Sequence, residues 1–191
     1  MAQVVEEPGE RAERHQHVAD AAHELRTPLA GIRALVDEPA SVDKLSAQWM
    51  IPSTLLTRTF QSQEEEGEFW MLWADLDVTP LPLDAIVALI RPLACDYEIY
   101  TSRSATLEAP KCRILIPLAK PLSGVQWRLC QEVLNDTLQV GGAMPDRANE
   151  RCGQLCFLPN RGAFYEPAAT TFSISGQAAP NDATLARFGN I

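Results

Sequence analysis

The chain has 191 residues, with 16 Lys+Arg against 25 Asp+Glu, a formal net charge of -9, 46% hydrophobic residues and 21% charged residues. That length and apolar content suffice for one sizeable core and exclude collagen-like, disordered and disulfide-stapled mini-protein classes. Apolar runs such as Phe69 to Ala74 fall far short of the roughly 20 residues a membrane helix needs. Glu6, Glu7, Glu10 and Glu13 stand where a secretory signal would carry an apolar stretch, so the expected location is cytoplasmic, with no membrane partner.

In chain order, Val18, Ala22, Leu25, Leu29, Ile32 and Val36 recur at three- and four-residue steps, the period of an amphipathic helix, with Pro28 as a kink or boundary. Residues 1–40 therefore read as an N-terminal helical segment. Residues 41–68, which include the polar, acidic run Gln61 to Glu68, read as a connection or domain edge. Phe69 to Asp77 is an aromatic-rich buried strand ending in acids. Leu83 to Leu93 has helical periodicity, and Asp96 to Thr101 forms a second strand. Arg113 to Leu118 is a third strand whose internal Pro117 marks an end or a bulge. Ser123 caps a helix running to about Val140, with an apolar stripe of Val125, Leu129, Val133 and Leu138. Gln154 to Leu158 is a fourth strand, and Ala163 to Tyr165 is a candidate fifth. This order predicts an α+β fold with a ferredoxin-like βαββαβ core over 69–166. Residues 167–191, rich in Ala, Ser, Thr and Gly, read as a tail or linker.

Five cysteines, Cys95, Cys112, Cys130, Cys152 and Cys156, are scattered through apolar segments and are expected as reduced thiols. Cys152 and Cys156 lack a second ligand pair, which argues against zinc. The acidic excess is concentrated in residues 1–68. The remainder is nearly charge-balanced, and its cations are mostly arginine, whose planar fork suits phosphate oxygens.

Asp75 and Asp77 are the sharpest chemical feature. At strand spacing i and i+2 their carboxylates share a face, and their mutual repulsion is relieved by a hard divalent cation such as Mg²⁺. Asp146, in the loop before the fourth strand, is a candidate third carboxylate. Ser102, Arg103 and Ser104 follow the second strand and offer a guanidinium and two hydroxyls to a triphosphate, with Arg113 on the third strand nearby. An acid cluster beside a basic one is what phosphoryl transfer from a nucleotide requires.

Several ordered segments carry a family resemblance. Trp73-Ala-Asp-Leu-Asp77, Ile99-Tyr-Thr-Ser-Arg-Ser-Ala105, Lys111 to Leu118 with Pro121, and Pro145 to Arg151 leading to Gln154-Leu-Cys-Phe-Leu-Pro159 resemble the successive motifs of the archaeo-eukaryotic primase superfamily. The resemblance spans roughly residues 49–166 and is to the plasmid and phage replication primases, or primase-polymerases. It implies metal-dependent nucleotidyl transfer with Mg²⁺ or Mn²⁺ held by Asp75, Asp77 and Asp146. It also implies nucleotide binding by Ser102, Arg103, Ser104 and Arg113. Implied partners are a single-stranded DNA template, nucleoside triphosphates and a helicase or other replication protein. Where the family's second motif ends in a histidine, this chain has Ser102-Arg103-Ser104.

A second resemblance is shorter. Ala22-His-Glu-Leu-Arg-Thr-Pro-Leu-Ala-Gly-Ile-Arg33 is similar to the H-box of sensor histidine kinases, which implies His23 as a phosphoacceptor in a phosphorelay. No ATP-binding box follows it. A third alternative is a catalytically inactive nucleic-acid-binding relative. An RNA recognition motif is excluded because Arg113 to Leu118 lacks the aromatics that would stack bases.

Overall fold

The computed structural model describes residues 28–78, 81–93 and 95–169; His23 and the tail beyond Ala169 lie outside them. The fold is mixed α+β with antiparallel sheets. Helix α1 (Pro28–Asp37) buries Ile32 and Val36, one turn apart. Strand β1 (Trp49–Met50) and helix α2 (Phe60–Glu66) lead to strand β2 (Glu68–Leu76). Helix α3 (Leu83–Ile90), strand β3 (Glu98–Thr101) and the long strand β4 (Cys112–Ser123) follow. Helix α4 (Gly124–Val140), a 3-10 turn (Arg147–Glu150), β5 (Cys156–Phe157) and β6 (Pro167–Ala169) complete the order.

Four strands form one antiparallel sheet in the order β2-β4-β3-β6. The three strands expected at the head of the core thus lie side by side, the third between the first and second. Asp75 pairs in register with Arg113, and Arg113 in turn with Tyr100. Beyond Leu115, β4 has only β2 as a neighbour among the described residues. Pro117 and Pro121 fall in that stretch, where a missing N–H breaks no ladder bond on the open side, and the register shifts between Phe69 and Met71.

Three expectations need correction. A ferredoxin-like sheet would place the fourth strand beside the first, whereas β5 is cut to two residues and pairs with β1 in a separate sheet. Its continuation is bound by residues 40–42, where Asn160 accepts from the Val42 N–H at 3.0 Å and donates back to the Val42 carbonyl at 2.9 Å. The polar run 61–68 is not a connection, since most of it lies in α2, which packs on α4. It orders because buried Gln63 donates its amide to the Leu55 and Thr57 carbonyls. Ala163 to Tyr165 forms no strand; the edge strand is Pro167–Ala169, in the segment read as a tail.

Ser123 caps α4 as expected, through a reciprocal capping box with Gln126. The helix face differs from the predicted stripe. Trp127, Gln131, Leu134, Asn135 and Leu138 point inward, whereas Val125 and Leu129 are about half exposed, at 49% and 54%. The reason lies in β2. It is an edge strand, and its Met71, Trp73 and Asp75 backbone groups face away from β4. Trp127 Nε1 donates to the Met71 carbonyl at 2.7 Å. Gln131 accepts from the Trp73 N–H at 3.1 Å and donates to the Trp73 carbonyl at 2.6 Å. The Asp75 carbonyl accepts from the Asp146 N–H at 2.8 Å. Side chains of α4 and the Asp146 turn therefore satisfy an edge that would otherwise remain open.

Candidate active site

Asp75 occupies the next-to-last position of β2, and Asp77 lies just past the strand end, exposed. The side chain of Asp75 is only 15% exposed, and its Oδ2 accepts from Arg113 Nη2 at 2.7 Å. Its Oδ1 is buried without a hydrogen-bond partner. Burial pushes the Asp75 carboxyl above its ordinary range; Arg113 opposes this, and the charges of Asp77 and Asp146 add to it. Burial alone would lower Arg113, but the adjacent Asp75 outweighs it and holds the guanidinium firmly charged.

Arg113 lies deep. Its Cζ sits 5.7 Å from the centroid of Phe157, and Lys44 Nζ lies at the same distance from that ring. Tyr100 Oη donates to the Phe157 carbonyl at 2.6 Å, tying β5 over the Asp75-Arg113-Tyr100 row. Burial pushes the neighbouring thiols of Cys112 and Cys156 up to about 12, so they stay protonated and unreactive. All five cysteines are free thiols.

The Ser102–Ser104 segment sits at the end of β3. Ser102 is buried and its N–H donates to the Lys111 carbonyl at 2.7 Å, while Arg103 and Ser104 are exposed. The two serine hydroxyls lie 3.5 Å apart. Arg103 Nη1 donates to the Arg161 carbonyl at 3.1 Å, and its Nη2 lies 3.8 Å from Asp43. Gly162 is required here: a Cβ at that position would stand 2.0 Å from the Arg103 carbonyl oxygen.

Asp146 is exposed and caps the 3-10 turn, its Oδ1 accepting from the Ala148 N–H at 2.9 Å. The structure therefore brings Asp146 to the end of β2 beside Asp75 and Asp77. Arg113 is engaged with Asp75 rather than turned toward solvent. Ser102, Arg103 and Ser104 form a loop two strands away, across β4.

No family model, curated protein or solved structure matches this chain.

Asp75, Asp77 and Asp146 carry hard oxygen donors of the kind a divalent cation takes, and one buried Asp75 oxygen lacks a partner. Among the described residues, no group of three or more His, Cys, Asp or Glu side chains stands close enough to hold an ion together as placed. Asp77 is exposed, and the Asp146 carboxylate is engaged by the Ala148 N–H that it caps. Sequence reading missed the buried amides Gln131, Asn135 and Asn149. The signal for Gln131 and Asn135 was polar residues at core spacing in a helix otherwise read from its apolar positions; Asn149, in the 3-10 turn, carried none.

Proposed function

We propose that this chain is a DNA primase-polymerase, a metal-dependent nucleotidyltransferase that synthesises primers on a single-stranded DNA template from nucleoside triphosphates. The observation that carries the reading is Asp75, a desolvated carboxylate with one unpartnered oxygen, adjoined by Asp77 and Asp146 at the end of an edge strand. Asp75, Asp77 and Asp146 would hold Mg²⁺ or Mn²⁺. Bound there, such a cation offsets carboxylate repulsion and supplies charge for ionising the attacking hydroxyl and for pyrophosphate departure. Arg113 fixes the rotamer of Asp75 through the Oδ2 hydrogen bond, and the other oxygen, Oδ1, is buried without a partner. Ser104 and Arg103 present an exposed hydroxyl and guanidinium to phosphate oxygens. In the reaction a 3′-hydroxyl attacks the α-phosphorus; a P–O bond forms and the bond to pyrophosphate breaks. The β2-β4-β3 order supports a ferredoxin-like core of primase-polymerase type, with β5 as its departure.

Labelled-nucleotide incorporation on single-stranded DNA, with Mg²⁺ and with Mn²⁺, tests this. Incorporation by the wild type that is lost in Asp75→Ala is the expected result. A folded wild type that incorporates nothing, alone or within a longer chain, would sink it. One observation favours a second reading, that of a catalytically silent nucleic-acid-binding protein: Asp75 is already paired with a buried arginine. Such a protein would bind DNA in a salt-sensitive way without incorporation. The phosphorelay role of His23, which lies outside the described residues, would instead give an acid-labile phosphohistidine.

A further inference from the structure

The inward face of α4 is taken up largely by hydrogen bonds to the edge of β2, which leaves several of the helix's apolar residues on the other side. Val125 and Leu129 are about half exposed, Val140 is 90% exposed, and Val133 is half-buried between them. At 100° per residue these four fall in one strip of the helix surface, which runs about 22 Å from Val125 to Val140. Near its C-terminal end a shallow depression of about 310 Å³ opens between Val133, Asp136, Thr137 and Val140. Single exposed apolar residues are ordinary on a protein surface, whereas a continuous strip with helical period is the shape against which another helix packs.

Charge marks one flank of the strip. Arg128 Nε lies 3.0 Å from Glu64 on α2, and its Nη1 lies 3.4 Å from Glu132. Further along, Arg147 of the 3-10 turn lies 2.6 Å from Asp136 and 2.7 Å from Glu150. Each arginine is shared by two carboxylates, so these four acids outnumber their cations and the flank is net negative. Helix geometry puts Gln126, Cys130 and Thr137 on the opposite flank, which is uncharged. An occupant must therefore offer apolar side chains to Leu129 and Val133 and cations along one border. An amphipathic helix with Lys or Arg beside its apolar face meets both conditions, with anchors at three- and four-residue steps. A second copy of this chain does not. In an antiparallel two-fold pair of α4 helices the same flank meets itself, acids against acids, and the net charge of -9 on each chain adds to the repulsion.

We propose that the outer face of α4, bordered by Glu64, Glu132 and Asp136, docks a basic amphipathic helix of a partner protein. The surface lies on the side of α4 away from β2 and is independent of the reading of Asp75. Burial of the strip supplies the affinity. The acidic flank selects the sign of the partner's charge and its orientation, since exposed ion pairs by themselves contribute little.

The test titrates the full chain into a fluorescein-labelled peptide of about 16 residues, the length of the strip, built of Leu and Lys with the leucines at three- and four-residue steps. Fluorescence anisotropy is expected to show binding that weakens as salt rises from about 0.05 M to about 0.5 M. Leu129→Lys removes an anchor and adds a cation to the strip, and should weaken binding about tenfold. Val125→Lys should also weaken it, and serves if Leu129→Lys fails to fold. Leu107→Lys makes the same change of charge at an exposed residue of the loop between β3 and β4 and should leave the affinity nearly unchanged. A second peptide of identical composition with D-residues interspersed cannot form the helix and should not bind. No binding by the wild type, equal binding of both peptides, or equal losses in Leu129→Lys and Leu107→Lys would overturn the proposal. Sedimentation equilibrium of the wild type should show a monomer; a dimer that Leu129→Lys dissociates would make a second copy the occupant and overturn it too.

Discussion

Asp75 and Arg113 face each other in register across β2 and β4, and each is the other's charged partner in a largely desolvated row. Breaking such a pair from one side leaves an uncompensated buried charge and typically costs about 3–5 kcal/mol, whereas replacing both partners with apolar residues costs far less. Arg113→Met alone should therefore destabilise strongly, and Asp75→Leu combined with Arg113→Met should recover much of the loss. Urea unfolding of the two single variants and the double variant measures the coupling. Additive losses would show that the pair does not act as a unit.

The Asp75-Arg113 row shows what sequence reasoning reached. Strand periodicity placed Asp75 at a strand end, and the βαββαβ order put its strand beside that of Arg113, so adjacency was legible without the pairing itself. The inward face of α4 was not legible. Val125, Leu129 and Val133 look like a core stripe, but the positions that face the sheet must satisfy the open edge of β2; Gln131 does so directly and Asn135 by way of Asn149, with residue types that hydropathy counts as exposed. The partner of the fourth strand was hidden for a related reason. Residues 40–50 hold β5 and its continuation largely through backbone and Asn160 amide hydrogen bonds, which leave little apolar pattern.

Glu98 predicts a pH dependence. It is fully buried on β3 with Arg33 of α1 as its partner, and burial, opposed by Arg33, leaves its carboxyl above the ordinary range. A carboxyl raised in the folded state stabilises the fold fully below its unfolded pKa, and that contribution is lost as pH rises through the folded value. Glu98→Gln keeps a polar side chain but cannot ionise. As pH rises above about 4, the ordinary glutamate range, the wild type should progressively lose Tm relative to Glu98→Gln. A Tm difference that does not vary with pH would rule this out.

Gln131→Leu should act at a single backbone group. The Trp73 carbonyl keeps the Asn149 amide, but the Trp73 N–H loses its acceptor. One buried donor left unsatisfied costs about 1–3 kcal/mol. Chemical denaturation should show a loss in that range, together with faster hydrogen exchange at the Trp73 amide than at Leu72, whose position pairs with Ile116 on β4. Uniform acceleration along β2 would instead mean that Gln131 supports the strand as a whole.

The two faces of α4 give the clearest contrast in stability. Leu134 is fully buried in the core, and truncating such a leucine leaves a cavity the surroundings only partly fill. Leu134→Ala is expected to cost about 2–5 kcal/mol. Leu129 and Val125 stand on the outer face, about half exposed. Leu129→Lys and Val125→Lys leave the inward hydrogen bonds of Trp127 and Gln131 in place, and lysine has good helix propensity, so each should change stability by no more than about 0.5 kcal/mol. Thermal or urea unfolding of the three variants decides between the two faces: a large loss for Leu129→Lys with a small one for Leu134→Ala would mean that the helix packs through its apolar stripe and not through Gln131 and Asn135.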